Sequence, residues 1–79
     1  MVYYVYAISS LSVNYIYIGI SNNVERRLEE HNKGYNRTTK PYRPFKLIYI
    51  EKFETREEAR VKEKYLKGGS GKKFLKSLE

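Results

Sequence analysis

Two tyrosine-rich segments near the N-terminus each carry a hydroxyl group whose position could serve a reaction. Tyr6 lies in the segment 2–9 and Tyr17 in the segment 15–20, and both segments are rich in residues that favour β-strands. The short polar connection between them predicts an antiparallel hairpin, in which the two tyrosines could face one another. Gly19 would share the face of Tyr17, and a glycine inside a strand often marks the close approach of a ligand or another backbone. A purely structural pair of tyrosines beside a bulge is the alternative interpretation.

Arg27 and His31 form a second candidate pair, because residues four apart lie on one face of a helix. The guanidinium of arginine is planar and always charged, which suits a phosphate group. His31 is the only histidine, and an imidazole can act as acid, base or hydrogen-bond donor near neutral pH. An exposed polar helix face would explain the same spacing without any chemistry.

Glu63 is the third candidate, in a predicted second helix. It lies four residues after Ala59 and three before Leu66, which places it at the edge of the packed helix face. A carboxylate there could hold Mg²⁺ or Mn²⁺, with water and a substrate phosphate as the other ligands. On spacing alone, an ion pair with a neighbouring lysine or arginine is the simpler interpretation.

The elements that position these groups follow from residue alternation and from helix-end signals. Tyr6 shares one strand face with Tyr4, and Tyr17 shares one with Tyr15, whereas the isoleucines between them take the other face. A helix follows the hairpin. Asn22 is its expected N-cap, with Glu25 completing a variant of the capping box, and it ends at Lys33-Gly34.

The second half of the chain predicts a loop, a strand and a second helix. Residues 35–44 hold two prolines and predict the loop, and residues 45–53 alternate as a third strand. Thr55 and Glu58 form a capping box that begins a helix through about Lys67.

The glycine-rich stretch 68–71 is expected to break the second helix, and residues 72–78 are expected to form a short terminal one. The prediction for residues 1–79 is therefore one α+β domain, a small three-stranded antiparallel sheet flanked by helices in the order β-β-α-β-α-α. A domain of this size buries only about 60% of its unfolded surface, so its core should be thin.

Composition indicates a partner and a compartment. The chain has 16 lysines and arginines against 9 aspartates and glutamates, a formal net charge of +7. That charge suits a polyanionic partner, although solubility alone would also explain it. There is no cysteine, hence no disulfide partner, and neither a signal-peptide pattern nor an apolar run of roughly 20 residues. We expect a soluble, cytoplasmic monomer without membrane contact.

The order of the candidate residues resembles that of the GIY-YIG nuclease superfamily, and in particular of its small standalone branch. Tyr4-Val5-Tyr6 stands where the family has its first tripeptide, and Tyr17-Ile18-Gly19 is the second tripeptide intact. Two positions of the first tripeptide depart from the family pattern, since Tyr4 replaces a glycine and Val5 an isoleucine. Neither change removes the hydroxyl of Tyr6.

The resemblance extends along essentially the whole chain. Arg27 follows Tyr17 at the spacing of the family's catalytic arginine, and the segments 26–34 and 43–45 are similar to those of the small standalone branch. Glu58-Ala59 with Glu63 behind looks like the helix that carries the family's metal-binding glutamate. Some members, including the nuclease domain of the excision-repair subunit UvrC, place an asparagine near the domain's end, where this chain has lysines.

The resemblance implies hydrolysis of DNA phosphodiester bonds with one divalent ion, Mg²⁺ or Mn²⁺, held by Glu63. Arg27 would stabilise charge on the phosphate, and Tyr6 would orient or deprotonate the water with Tyr17 assisting. His31 could be the proton acceptor instead. A phenol has a pKa of about 10, so a tyrosine base requires nearby cations to lower its pKa, and we expect Arg27, His31 and the metal to supply them.

Further residues near the predicted site are expected to contact the nucleic acid. These are Gly19, Arg26, Arg37, Thr39, Lys40, Arg43, Lys72 and Lys73. The sequence leaves open whether the substrate is single-stranded, branched or duplex DNA, or RNA. A basic nucleic-acid-binding module that does not cleave is the main alternative function, and a structural adaptor is a second.

Overall fold

The computed structural model describes residues 2–79, in which three antiparallel strands form one sheet and helices pack on both of its faces. The strands are β1 (Tyr3–Ser10), β2 (Ile16–Ser21) and β3 (Phe45–Phe53), and the helices are α1 (Val24–Lys33), α2 (Arg56–Lys67) and α3 (Gly69–Lys76). A single 3₁₀ turn, Lys40–Tyr42, lies within the predicted loop 35–44. The predicted class and element order are confirmed.

The central strand of the sheet is β1, with β2 and β3 at its edges. Tyr6 pairs with Gly19 across the β1–β2 ladder, and Tyr17 pairs with Ile8. The two tyrosines are therefore diagonal neighbours rather than directly opposite, with ring centroids 6.3 Å apart. This register places a residue without a side chain across from Tyr6.

The two faces of the sheet bury different side chains, as the alternation predicted. One face carries Tyr6 and Ile8 and packs against Val24 and Leu28 of α1. The opposite face packs against α2 and α3. The buried residues of this second cluster come from the sheet and from both helices, and they are Val5, Ala7, Ile18, Ala59, Leu66 and Leu75. Tyr6 and Tyr17 thus lie under α1, and the isoleucines of β2 (Ile16, Ile18 and Ile20) lie under the other two helices.

The N-terminus of α1 differs from the prediction by one residue. Asn23, not Asn22, is the N-cap, because its side-chain oxygen accepts a hydrogen bond from the Arg26 backbone N–H at 3.1 Å. The capping box expected between Asn22 and Glu25 is not formed. At α2 the predicted N-cap is confirmed, since the Thr55 hydroxyl accepts from the Glu58 N–H at 3.2 Å. The Glu58 carboxylate accepts from that hydroxyl at 3.0 Å instead of from the Thr55 backbone N–H, so the box is only half formed.

The start of α3 is the second correction, because it begins at Gly69 rather than at Lys72. Gly71 lies inside the helix and is buried against the end of α2. A Cβ atom there would overlap the backbone of Tyr65 and Leu66. The predicted break of the second helix is confirmed, since α2 ends at Lys67 with Gly68 as its C-cap, and the rest of the glycine run permits a close turn into α3. In the part of the chain that the structure describes, no helix is long and apolar enough to cross a membrane.

Candidate active site

A chain of hydrogen bonds runs from the sheet through α1 into the following loop. The Tyr6 hydroxyl lies 3.1 Å from Nε2 of His31, and Nδ1 of His31 lies 2.7 Å from the Thr39 hydroxyl. Tyr6 and His31 are each only 1% exposed, and Thr39 is fully buried. The three polar groups therefore satisfy one another away from bulk water.

The loop after α1 favours one tautomer of His31, whose two ring contacts by themselves are compatible with either. The Thr39 hydroxyl also lies 3.5 Å from the Asn36 carbonyl oxygen, which can only accept, so the hydroxyl donates to it. The Thr39 oxygen is then the acceptor for an N–H at Nδ1 of His31. In this tautomer Nε2 is unprotonated and accepts from the Tyr6 hydroxyl.

Burial keeps both members of the Tyr6–His31 pair neutral. Desolvation raises the pKa of Tyr6 above its ordinary 10.0, although the nearby Arg27 guanidinium acts in the opposite direction. Desolvation lowers the pKa of His31 below 6.5, and Arg27 lowers it further. The expectation that His31 supplies a cation to lower the tyrosine pKa is therefore wrong for the protein alone, because His31 is uncharged near pH 7 and the Tyr6 pKa is raised.

Gly19 makes room for the hydroxyl end of Tyr6. A Cβ atom on Gly19 would lie 2.8 Å from the Tyr6 hydroxyl oxygen and 2.9 Å from its Cζ atom. Gly19 is itself buried, so it is unsuited to contact DNA directly, contrary to the expectation from sequence. Its effect on the site comes through the position of Tyr6.

We predict that Gly19→Ala displaces the Tyr6 ring and weakens its hydrogen bond to His31. The expected loss is about 1–3 kcal/mol in the free energy of unfolding, as for other overpacked sites, measured by chemical denaturation. Gly69→Ala is the matched control, because a Cβ atom at Gly69 meets no atom within 4 Å. Equal stability of the two variants would contradict this role for Gly19.

Arg27 lies at the edge of the buried pair, with its side chain one-third exposed. Its Nη1 atom donates to Oε1 of Glu30 at 2.8 Å, and Arg26 approaches the same carboxylate at 3.8 Å. Arg27 lines two surface cavities, of about 500 and 400 Å³. A ligand in either cavity would therefore meet its guanidinium.

Glu63 borders a third cavity, of about 370 Å³, which opens along the edge strand β2. Tyr17 lines this cavity and also lies against His31, with ring centroids 4.8 Å apart. The Glu63 carboxylate accepts from Lys67 Nζ at 3.3 Å, which is the kind of ion pair the spacing suggested. Tyr17 thus separates the buried pair from the cavity that holds Glu63.

The donor set of the site limits the kind of metal that it could hold. Among residues 2–79, no group of three or more histidine, aspartate or glutamate side chains converges. A single half-buried carboxylate does fit Mg²⁺ or Mn²⁺, since such ions often use one or two carboxylates and take their other ligands from water and substrate phosphate. Glu63 has a carboxylate of this kind, with its side chain 19% exposed.

The residues predicted to contact DNA divide into two groups. Six cationic residues are exposed and surround the site or lie on the neighbouring loop and α3: Arg26, Arg37, Lys40, Arg43, Lys72 and Lys73. Thr39 is buried and contacts Nδ1 of His31, so its side chain does not face the surface at which contact with DNA was predicted. The Arg43 guanidinium packs over Gly34 at the C-terminal end of α1.

Three residues at the site, Glu30, Tyr35 and Asn36, were not predicted from the sequence. Glu30 pairs with Arg27, and its position three residues later is a recognised ion-pair spacing that could have identified it. Tyr35 and Asn36 line the cavity beside His31, and no periodic pattern marks them.

Comparisons with known proteins identify relatives along nearly the whole chain. Residues 2–76 match the family model described as the GIY-YIG catalytic domain. A UPF0213 protein of Staphylococcus haemolyticus is 37% identical over 78 residues, covering 98% of this chain and 94% of that protein. A UPF0213 protein of Clostridium perfringens is 42% identical over 53 residues, which span 66% of this chain and only 57% of that protein.

A solved structure has the same fold. The solution structure of a UPF0213 protein from Bacillus halodurans is 30% identical to this chain and superposes with a TM-score of 0.58. The match covers 100% of this chain and 86% of that protein. The resemblance noted in the two tripeptides therefore extends to the complete fold.

Proposed function

The chain belongs to the GIY-YIG family of catalytic domains, a nuclease family, and on this premise we propose that it is an endonuclease that hydrolyses DNA phosphodiester bonds with one divalent metal ion. The observation that carries this proposal is the buried hydrogen bond between the Tyr6 hydroxyl and the neutral His31, with Arg27 close by. A proton acceptor beside a permanently charged guanidinium suits the attack of water on a phosphodiester.

The proposed proton path runs from the attacking water to Tyr6 and from Tyr6 to Nε2 of His31. The ordinary pKa values of the two groups, 10.0 and 6.5, are about 3.5 pH units apart, and burial widens the difference. Moving the proton from phenol to imidazole in the resting protein would cost at least about 5 kcal/mol. Tyr6 therefore gives its proton to His31 only as it takes one from water, so His31 is the net base and Tyr6 is the relay.

Tyr17 is the tyrosine placed to position the water. It is half-buried, more exposed than Tyr6, and it lies between His31 and the cavity of Glu63. Its hydroxyl can donate to or accept from a water molecule at the surface of the site. Its role is to orient the water, while Tyr6 passes the proton inward.

Arg27 is assigned to a non-bridging phosphate oxygen. Its ion pair with Glu30 holds the guanidinium at the rim of the site, where negative charge would develop on the phosphate. The planar fork of arginine can then donate two parallel hydrogen bonds to the phosphate.

Glu63 is assigned to hold Mg²⁺ or Mn²⁺. When bound, the ion would supply positive charge to the phosphate and to the leaving oxygen. Glu63 must first release Lys67, and solvent-exposed ion pairs of that type contribute only about 1 kcal/mol or less. The Glu63 carboxylate can therefore exchange its ion pair with Lys67 for a divalent ion, which binds a carboxylate more strongly.

The exposed cations around the site are proposed to bind the DNA backbone. Arg37 and Lys40 lie on the loop after α1, and Lys72 lines the cavity of Glu63. Together with the net charge of +7, they favour a polyanion that crosses the site from α1 towards α3. Affinity should accordingly fall steeply with added salt.

We predict that cleavage weakens as the pH falls through the pKa of His31. The reaction requires neutral imidazole, and because burial lowers its pKa, the loss should begin below the ordinary value of 6.5. Single-turnover rates measured between about pH 5 and pH 8 provide the test.

Tyr6→Phe and His31→Gln should each slow cleavage by about 10²–10⁴. His31→Gln should also remove the acid dependence, and its persistence in that variant would contradict the assignment.

The experiment that tests the function uses labelled nucleic acids of different form. Single-stranded, duplex, flap and branched DNA, together with RNA, are incubated with the protein and either Mg²⁺ or Mn²⁺. The proposal expects metal-dependent cutting of at least one DNA form and none when the metal is chelated. Binding without cutting would instead identify a nucleic-acid-binding module.

A further inference from the structure

Tyr35 combines a fixed backbone with an exposed ring. Gly34 ends α1 in the left-handed conformation (φ 81°), and its N–H and that of Tyr35 bond to the carbonyls of His31 and Glu30, both at 3.1 Å. In this type of helix end, the residue after the glycine often packs its side chain back on the helix. The Tyr35 side chain does not, because 73% of the residue is exposed.

Tyr35 borders a cavity that it shares with the proposed active site. This cavity of about 500 Å³ is lined by Arg27, Glu30, His31, Tyr35, Asn36 and Arg37. Its volume falls in the range of about 300–1,000 Å³ that is typical of sites for small ligands. A group bound there would lie next to whatever Arg27 holds.

The charges of the cavity favour a ligand that is anionic and has a flat face. Arg27 and Arg37 contribute two guanidinium groups, and the carboxylate of Glu30 is paired with Arg27 at 2.8 Å. An aromatic ring flanked by arginines is the combination with which proteins bind single strands, stacking on bases and pairing with phosphates. In a duplex the base faces are covered by their neighbours, so only an unpaired base can use the ring of Tyr35.

We propose that this cavity binds an unpaired base of a DNA strand next to the phosphate to be cut, with the base stacked on Tyr35 and Arg37 on the adjoining phosphate. The inference rests on the proposed function, because Arg27 places the scissile phosphate at the rim of the same cavity. The substrate would then be DNA that is single-stranded, or whose two strands are separated, at the cutting site.

Binding of an oligonucleotide that contains 2-aminopurine tests the proposal, with metal chelated so that no cutting occurs. The single strand should bind the unaltered protein more tightly than the duplex does, with the fluorescence quenched by stacking. Tyr35→Ala should weaken single-strand binding by about fivefold to a hundredfold and remove the quenching that stacking on Tyr35 causes, whereas Tyr35→Phe should preserve both. Affinity for the duplex should change less than twofold.

Tyr65→Ala is the matched control, since Tyr65 is also an exposed tyrosine but lies on α2, across the sheet from this cavity. It should leave single-strand binding and quenching unchanged. The proposal is overturned if Tyr35→Ala binds the single strand as the unaltered protein does, or if it loses single-strand and duplex affinity equally.

A cutting assay separates this inference from the proposed function. If the protein cuts DNA and Tyr35→Ala cuts duplex and single strand in the same ratio as the unaltered protein, the base site is wrong and the nuclease proposal stands. If no nucleic acid is cut but quenching depends on Tyr35, the nuclease proposal fails and the cavity still binds an unpaired base.

Discussion

Replacing Arg27 with alanine is expected to reduce the rate of DNA cleavage by about 10²–10³, which corresponds to about 3–4 kcal/mol of lost transition-state stabilisation. The guanidinium is assigned to the phosphate as its negative charge grows, so the loss should appear in the chemical step. Single-turnover kinetics with saturating protein measure that step directly. A loss confined to DNA affinity would contradict the assignment.

The chain offers a matched control for Arg27 in the residue before it. Arg26 carries the same charge and also approaches Glu30, at 3.8 Å, but its side chain is 63% exposed, against 33% for Arg27. Arg26→Ala should therefore affect affinity and its salt dependence more than the cleavage step. Arg27→Lys should recover only part of the rate, because the ammonium cannot reproduce the planar fork.

Replacing Glu63 with alanine is expected to abolish metal-dependent cleavage, with a loss of at least about a thousandfold, since the ion is assigned several kcal/mol of charge stabilisation. Affinity for DNA measured without metal should stay nearly the same. Mn²⁺ binding, followed by the electron paramagnetic resonance of the free ion, should be lost together with activity.

Lys67→Ala separates the metal role of Glu63 from its ion pair. Both substitutions remove the contact between the two side chains at 3.3 Å, but only Glu63→Ala removes the carboxylate. Lys67→Ala should keep metal-dependent cleavage and bind Mn²⁺ at least as tightly as the unaltered protein. Equal losses in the two variants would show that the ion pair, and not a metal, is what the site needs.

Local patterns were sufficient to predict the faces of the sheet and one helix cap. Tyr6 and Tyr17 share a buried face because side chains alternate along strands, whatever else the chain does. Thr55 caps α2 because its bond to the Glu58 N–H depends on four consecutive residues. At α1 two adjacent asparagines offered equivalent caps, and local pattern could not decide between them.

The contacts that define the candidate site depend on distant parts of the chain. Thr39 meets His31 only because the loop folds back over α1, so its sequence position suggested a surface contact. The raised pKa of Tyr6 follows from the depth of its burial, which no motif expresses. The glycine at position 71 likewise could be understood as a close approach only once α2 and α3 were seen together.

The proposed cutting of DNA with a divalent ion held by Glu63 can be tested in one assay that varies both the metal and the carboxylate. Cleavage of labelled single-stranded, duplex, flap and branched DNA is followed with Mg²⁺, with Mn²⁺ and with a chelator, for the unaltered protein and for Glu63→Ala purified in parallel. Products are expected only for the unaltered protein and only with metal. Cutting that survives the chelator or the loss of Glu63, or no cutting of any DNA under these conditions, would contradict it.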